Sequence, residues 1–346
     1  MGAASVGRRL MGLTRSRVFV GPNGLRAGWR FLCFVVLWMY LDHLKNLVVW
    51  YHVLKYKDHP LWHPLDFFVW DGPELVVTLV TVFLMMKLVD RGRWSYRNYG
   101  LGLEPKSLSL LLEGLIWGFL TTTGLILLLY FARAVSFEGL ALSGMLVVQF
   151  ALFWFLVMIL DGLHDQFLYR GYPLFTLGTG IGFWPAAVLL SILFGGLQQY
   201  LISHTTTFVH LLNASLLFLF SCLTFRRTGS LWFAVGFQAM FEFSALALYG
   251  SPHIANKGKS VYGHLLNVTF HGSPWLTGGK AGIDASILVL PALATLFIIF
   301  ARRHKDAVFM PERERTSEHH TRGAPGPDPA LEGTAAQGAA AAQRDR

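Results

Sequence analysis

Long apolar runs broken by short basic connections constrain this chain more than any other feature. Stretches near 30–51, 73–90, 108–131, 142–163, 183–203, 208–225, 231–249 and 284–301 are poor in charge. A helix needs roughly 20 apolar residues to cross the hydrocarbon core of a bilayer. Only helices and closed barrels keep every backbone polar group paired there. The pattern predicts an all-α, polytopic membrane helix bundle of about eight transmembrane helices, with the lipid bilayer as its first partner. Composition agrees: 14% of the residues are charged, against roughly 25% in soluble domains.

Positive charge follows the connections. The first 30 residues hold Arg8, Arg9, Arg15, Arg17, Arg26 and Arg30 and no acid. Lys87, Arg91, Arg93, Arg97 and Lys106 follow the second run, Arg170 the fourth, Arg226 and Arg227 the sixth, and Arg302, Arg303 and Lys305 the eighth. An even number of spans with both termini cytoplasmic satisfies the positive-inside rule at each of these turns. The net charge of +9 is therefore read as a topology signal, and no nucleic-acid partner is expected. The Arg-rich start fits a basic cytosolic flank, or a presequence of the mitochondrial type, which has the same composition. A cleaved signal peptide does not fit, because the first apolar run leads into Asp42-His43 and Lys45-Asn46 without a small-residue cleavage site. Val6 stands where a myristoylation pattern needs Ser or Thr. Cys33 and Cys222 both lie inside apolar runs and predict no disulfide. There is no HExxH and no zinc-type Cys/His spacing.

These features divide the chain into a basic flank (1–28), N-terminal transmembrane helices (29–140), a transmembrane core (141–303) and a tail (304–346). From about 310 the tail is Ala, Gly, Pro and charge, too little apolar surface to fold. Arg226-Arg227-Thr228-Gly229-Ser230 alone separates two runs and predicts a tight helical hairpin. The connection 250–283 is rich in Gly, His and Pro, and its length predicts either a functional or a loosely ordered loop.

Polar side chains at membrane depth are costly and face a bundle interior or a watery cavity. Three clusters stand out: His164-Asp165-Gln166 with Arg170-Gly171, Phe194-Gly195-Gly196-Leu197-Gln198-Gln199, and Phe237-Gln238 with Glu242. Gln238 and Glu242 are four apart, one turn along the same helix face. The plainer reading is that such amides only bond neighbouring helices. A buried Glu242 demands more, because a carboxylate there needs a partner or a proton. Arg170 reads equally as an anchor and as a structural clamp at a helix end.

The order Asp165-Gln166-x3-Arg170-Gly171, Phe194-x3-Gln198, Thr228-Gly229-Ser230, Gln238-x3-Glu242 resembles the CPBP family. Those membrane proteases include type II CAAX prenyl proteases and bacteriocin-processing or immunity proteins. His264-Leu265-Leu266 and Pro274-Trp275-Leu276-Thr277-Gly278-Gly279 resemble a bacterial branch. The resemblance covers about 160–285. It implies an intramembrane endopeptidase of a bacterial inner membrane, with a peptide or lipidated peptide as substrate. It implies a first acid that activates water, and histidines that steady the oxyanion or a metal.

The chain departs from that pattern where the chemistry sits. The family's Glu-Glu pair is Asp165-Gln166, its two histidines fall on Gln198 and Gln238, and its last position is Glu242. An amide carbonyl is a hard, weak metal donor, and an amide shuttles no proton near neutral pH. No cofactor is expected, and the family's metal site is expected to be lost. Asp165, Gln166, Arg170, Gln198, Gln238 and Glu242 are thus degenerate motif positions. They point first to a binding or scaffolding protein with a failed peptidase site. The alternative is an active peptidase with Asp165 or Glu242 as base and Gln198 and Gln238 as oxyanion donors. A third reading is a transporter or channel subunit with an acidic intramembrane path. His164 projects roughly 100° from its neighbour, and His204 and His210 are expected to lie too far out to restore an imidazole.

Overall fold

Each apolar run becomes a helix because a chain in lipid must pair its own backbone groups. A computed structural model describes residues 20–21, 24–53, 64–91, 95–197, 207–305 and 308–309. Two short strands, β1 (Val20–Gly21) and β2 (Gly24–Leu25), pair ahead of the helices. Then come α1 (Ala27–Val53), α2 (Pro64–Leu84), α3 (Pro105–Phe131), α4 (Met145–Gln166) and α5 (Tyr172–Ile181). They are followed by α6 (Phe183–Leu190), α7 (Phe208–Thr228), α8 (Trp232–Glu242) and α9 (Val289–Arg303). Strands β3 (Val135–Leu140) and β4 (Leu266–Phe270) form an antiparallel pair.

The result is an all-α membrane bundle. Among the described residues, five helical stretches are long and apolar enough to cross a bilayer: Ala27–Val49, Gly72–Val89, Pro105–Phe131, Met145–Ile181 and Phe208–Thr228. Phe183–Leu197 and Trp232–Leu248 are apolar but shorter. The fourth stretch does not end at Arg170. A π-turn, Phe167–Gly171, carries α4 directly into α5. Pro173 lies in the first turn of α5, just past Gly171, where a ψ of −98° already interrupts the regular ladder.

Small residues set how closely the central helices approach. At Gly114 of α3 a Cβ would stand 2.1 Å from the Phe233 carbonyl oxygen of α8. At Gly236 of α8 it would stand 2.2 Å from the Leu111 carbonyl oxygen. Helix α4 lies against the same helix at Gly162, near Val235 and Ala239. Around this junction a buried aromatic core collects Trp154, Phe220, Phe233, Phe237 and Phe300.

The turn between α7 and α8 is tight: Gly229 takes a left-handed φ of 70°, and the Thr228 hydroxyl accepts from Ser230 N–H at 3.2 Å while the Ser230 hydroxyl accepts from Trp232 N–H at 3.3 Å. Leu231 N–H donates to the Gly100 carbonyl at 3.0 Å, and Arg227 donates to the Lys305 carbonyl. The basic connections before α3, before α8 and after α9 therefore meet on one side of the bundle. At the start of segment 304–346, Val308 and Phe309 both donate to the Arg226 carbonyl at 3.1 Å. Phe309 stacks on Phe225 with centroids 4.4 Å apart. The basic start, residues 1–19, and the tail from 310 onward lie outside the described residues.

On the opposite side, the connection after α8 is ordered by specific bonds. Leu265 N–H reaches the Ala247 carbonyl at 2.7 Å, and Trp154 Nε1 donates to the Tyr262 carbonyl at 3.0 Å. The final helix starts at Val289, five residues later than the apolar run suggests. Ile283–Ala285 instead forms a short 3-10 turn, held by Ile283 N–H donating to Ser251 Oγ at 3.2 Å.

Candidate active site

Asp165 and Gln166 are the last residues of α4, and the contact at Gly162 turns them toward α8. Gln238 and Glu242 project from α8 one turn apart. The four side chains form one network. Gln166 Nε2 donates to Gln238 Oε1 at 2.6 Å. Gln238 Nε2 donates to Asp165 Oδ2 at 2.9 Å and to Glu242 Oε1 at 3.1 Å. Asp161, one turn before Asp165, also reaches Glu242.

The orientation of Gln238 follows from its neighbours. The Asp165 carboxylate accepts hydrogen bonds, so the amide nitrogen faces it and the carbonyl faces the Gln166 donor. Both amide hydrogens are then committed to carboxylates, and the carbonyl is taken by Gln166. Gln238 has no donor left for an oxyanion and a poor acceptor for a metal. Gln166 is almost fully buried, and its Oε1 has no partner.

A cavity of about 330 Å³ opens beside this network. Asp165, Gln166, Gln238 and Glu242 form its polar floor, and Tyr169, Phe194, Phe218, Phe237 and Phe241 supply aromatic wall. Phe194 and Gly195 sit on the π-turn Ser191–Leu197 that continues α6. Gly195 is required there, because a Cβ would fall 2.7 Å from the Cα of Ser215 on α7. Gln198 lies outside the described residues.

Arg170 lies in the π-turn between α4 and α5, and this turn directs it into the bundle. It is buried, with its guanidinium 3.9 Å from the Phe218 ring centroid and Nε 3.4 Å from the Phe218 carbonyl. It clamps α7 from one wall of the cavity. The helix runs on past it, so it marks no helix end. His164 is buried behind the floor: Nδ1 lies 3.6 Å from Asp165 Oδ1 and 3.9 Å from Glu74 Oε2. Both distances are ion-pair range and beyond a hydrogen bond. Glu74 in turn bonds Lys45 at 2.7 Å. His164 therefore braces Asp165 from outside the cavity.

Two cavity residues escaped the sequence reading. His210, in the first turn of α7, was expected to be too far out, yet it lines the same cavity and is buried with no partner for Nδ1. Asp284 belongs to the 3-10 turn before α9 and lines it too. Asn213, one turn after His210, fixes that turn by donating to the Asp284 carbonyl at 2.7 Å and the Ser286 carbonyl at 2.9 Å. The His210–Asn213 spacing of three was the signal available in the sequence. Burial raises the Asp284 carboxyl to about 6. Burial, then the nearby His210, lowers His253 to about 4.

Among the described residues, no group of three His, Cys, Asp or Glu side chains is placed to hold a metal ion. The described donors at hand, an engaged amide, dispersed carboxylates and the single imidazole of His210, do not fit a transition metal.

Residues 147–244 match the family model described as type II CAAX prenyl endopeptidase Rce1-like. This stretch is an Rce1-like domain. It runs from α4 to just past α8 and contains every cavity residue named above except Asp284. No curated protein matches the chain. The five long apolar helices mark an integral membrane protein, and its residues 147–244 are similar to type II CAAX prenyl endopeptidases. Its Asp165, Gln166, Gln238 and Glu242 occupy one face-to-face junction of α4 and α8.

Proposed function

We propose that the Rce1-like domain binds a peptide or lipidated peptide in its intramembrane cavity without hydrolysing it. The observation that carries this reading is the commitment of Gln238. Its amide ties Asp165 and Glu242 together and leaves neither an oxyanion donor nor a metal ligand at the position where the resembling proteases have histidine. A base and an oxyanion site must both be free to act on a substrate. Here both carboxylates already accept bonds from one amide.

A second reading is favoured by one observation. His210 brings an imidazole with an unpartnered Nδ1 to the cavity that holds Asp165 and Glu242. In an active peptidase it would take the acid–base part that Gln198 and Gln238 cannot.

The meeting of the basic connections on one side supports both termini facing the cytoplasm of a bacterial inner membrane. In that orientation the membrane core 141–303 presents its cavity between helices tied together near their cytosolic ends.

The test is a fluorescence titration of labelled farnesylated peptide against the full chain in lipid vesicles. Saturable binding with the peptide recovered intact is expected. Absence of saturable binding overturns the proposal.

A further inference from the structure

Helix α3 is drawn onto α8 by glycines: at Gly118 a Cβ would stand 2.4 Å from the Phe237 carbonyl oxygen. Its other side meets α9 only through large side chains near the basic end. Trp117 packs edge-on against Phe300 with centroids 6.3 Å apart, and Arg303 Nε bonds Glu113 Oε1 at 2.9 Å. Beyond this clamp a groove of about 590 Å³ separates the two helices, between Trp117, Gly124 and Leu128 of α3 and Leu296 and Ile299 of α9. Leu128 and Ile299 are exposed, so the groove opens outward from the bundle.

Its lining holds no charge. The two hydroxyls in it are spent within their own helices: Thr121 donates to the Trp117 carbonyl at 2.7 Å and Thr295 to the Pro291 carbonyl at 2.9 Å. An occupant therefore meets apolar surface alone. The rim is different. Arg302 follows Ile299 by three residues, on the same helix face. Arg303 is held by Glu113, whereas Arg302 and Lys305 are exposed, and Arg302 makes no ion pair among the described residues. Arg227 adds further positive charge by bonding the Lys305 carbonyl. The groove is thus apolar along its length and cationic at one end.

Length separates the possible occupants. From Ala292 to Arg302 is ten residues, or roughly 15 Å of helix. That is half of the roughly 30 Å hydrocarbon core, the depth of one leaflet. A second transmembrane helix would need the full thickness, whereas a lipid acyl chain needs one leaflet and brings its phosphate to the rim. Basic pockets between helices at the membrane surface take anionic headgroups in this way.

We infer that the groove between α3 and α9 binds an anionic phospholipid, with one acyl chain along Trp117, Gly124 and Leu296 and the phosphate on Arg302 and Lys305. This site is separate from the cavity at the α4–α8 junction and does not depend on what that cavity holds.

The experiment uses the full chain in phosphatidylcholine vesicles, with phosphatidylglycerol or phosphatidylcholine brominated in the acyl chains as quencher. The readout is the part of the tryptophan fluorescence that Trp117→Phe removes. Brominated phosphatidylglycerol is expected to quench it at least about fivefold more effectively than brominated phosphatidylcholine, the effect of one basic side chain at the surface. Arg302→Gln is expected to lower that preference about fivefold and leave quenching by brominated phosphatidylcholine unchanged. Lys87→Gln, an exposed basic residue at the end of α2, is expected to change neither. Gly124→Leu fills the groove without a clash, since a Cβ there meets nothing within 4 Å. It is expected to remove most of the quenching by both lipids.

Equal quenching by the two lipids overturns the inference, as does a preference that survives in Arg302→Gln or falls as far in Lys87→Gln. Unchanged quenching in Gly124→Leu overturns the placement of the acyl chain. Shielding of Trp117 from both lipids would mean that a protein surface covers the groove, and overturns it as well.

Discussion

Replacing Gln238 by leucine keeps the volume of the side chain and deletes all three of its hydrogen bonds. Two of them end on carboxylates, at 2.9 Å and 3.1 Å, and the third accepts from Gln166 at 2.6 Å. Side-chain hydrogen bonds between membrane helices contribute about 0.6 kcal/mol on average and up to about 1.7. Bonds to ionised partners are roughly twice as strong as neutral ones. Two bonds near the upper value and one near the mean give a loss of about 3–4 kcal/mol. Water entering the adjoining cavity recovers part of it, so about 2–3 kcal/mol is expected to be observed. Reversible unfolding in mixed micelles measures it, and a double-mutant cycle with Glu242→Leu, which removes the acceptor, isolates the shared bond. A coupling of about 1 kcal/mol is expected for groups in one network. A loss below about 0.5 kcal/mol, or additive effects in the cycle, would refute the clasp on which the functional reading stands.

Gly236→Ala is expected to destabilise the bundle by about 1–3 kcal/mol, because its Cβ would meet the Leu111 carbonyl; the same unfolding assay reads it, and a neutral result would contradict the close contact of α3 and α8. The acidic limb of stability depends on two opposed groups. Asp284, raised to about 6, holds its proton more tightly in the folded chain, so its contribution is lost as pH rises from about 4 through 6. His253, lowered to about 4, resists protonation when folded, so its contribution is present above about 6.5 and lost as pH falls toward 4. Each amounts to up to about 3 kcal/mol at 1.36 kcal/mol per unit, and between pH 4 and 6 they offset one another. Asp284→Asn is expected to leave stability rising with pH in that window, and His253→Gln to leave it falling; parallel profiles in the two variants would refute the assignment. Arg170→Lys is expected to cost about 1–2 kcal/mol in thermal unfolding, since a point charge does not reproduce a planar group lying on Phe218.

The helices were legible because membrane spans advertise themselves by length and apolarity, and the turn at Thr228–Ser230 by its residues. Asp165, Gln166, Gln238 and Glu242 were legible from the order of their motifs and their helical spacing, and they share one floor. Other features carry no local signal. The strands β3 and β4 are six and five residues long and lie more than a hundred residues apart, so neither run announces its partner. The passage of α4 into α5 was hidden by Arg170, which reads as an end anchor until a π-turn is seen to direct it inward. His210 looked like an interfacial histidine, because its depth depends on where α7 begins. Asp284 looked like part of the last span, because Asn213 holds its turn from another helix.

The proposed function requires that the Gln238 amide close the cavity to hydrolysis. Mass spectrometry of a farnesylated CAAX-type peptide, incubated with the reconstituted chain and with Asp165→Ala, tests it most directly. The peptide is expected to keep its full mass with both proteins. Loss of its C-terminal residues with the unaltered chain, and not with Asp165→Ala, would contradict the claim.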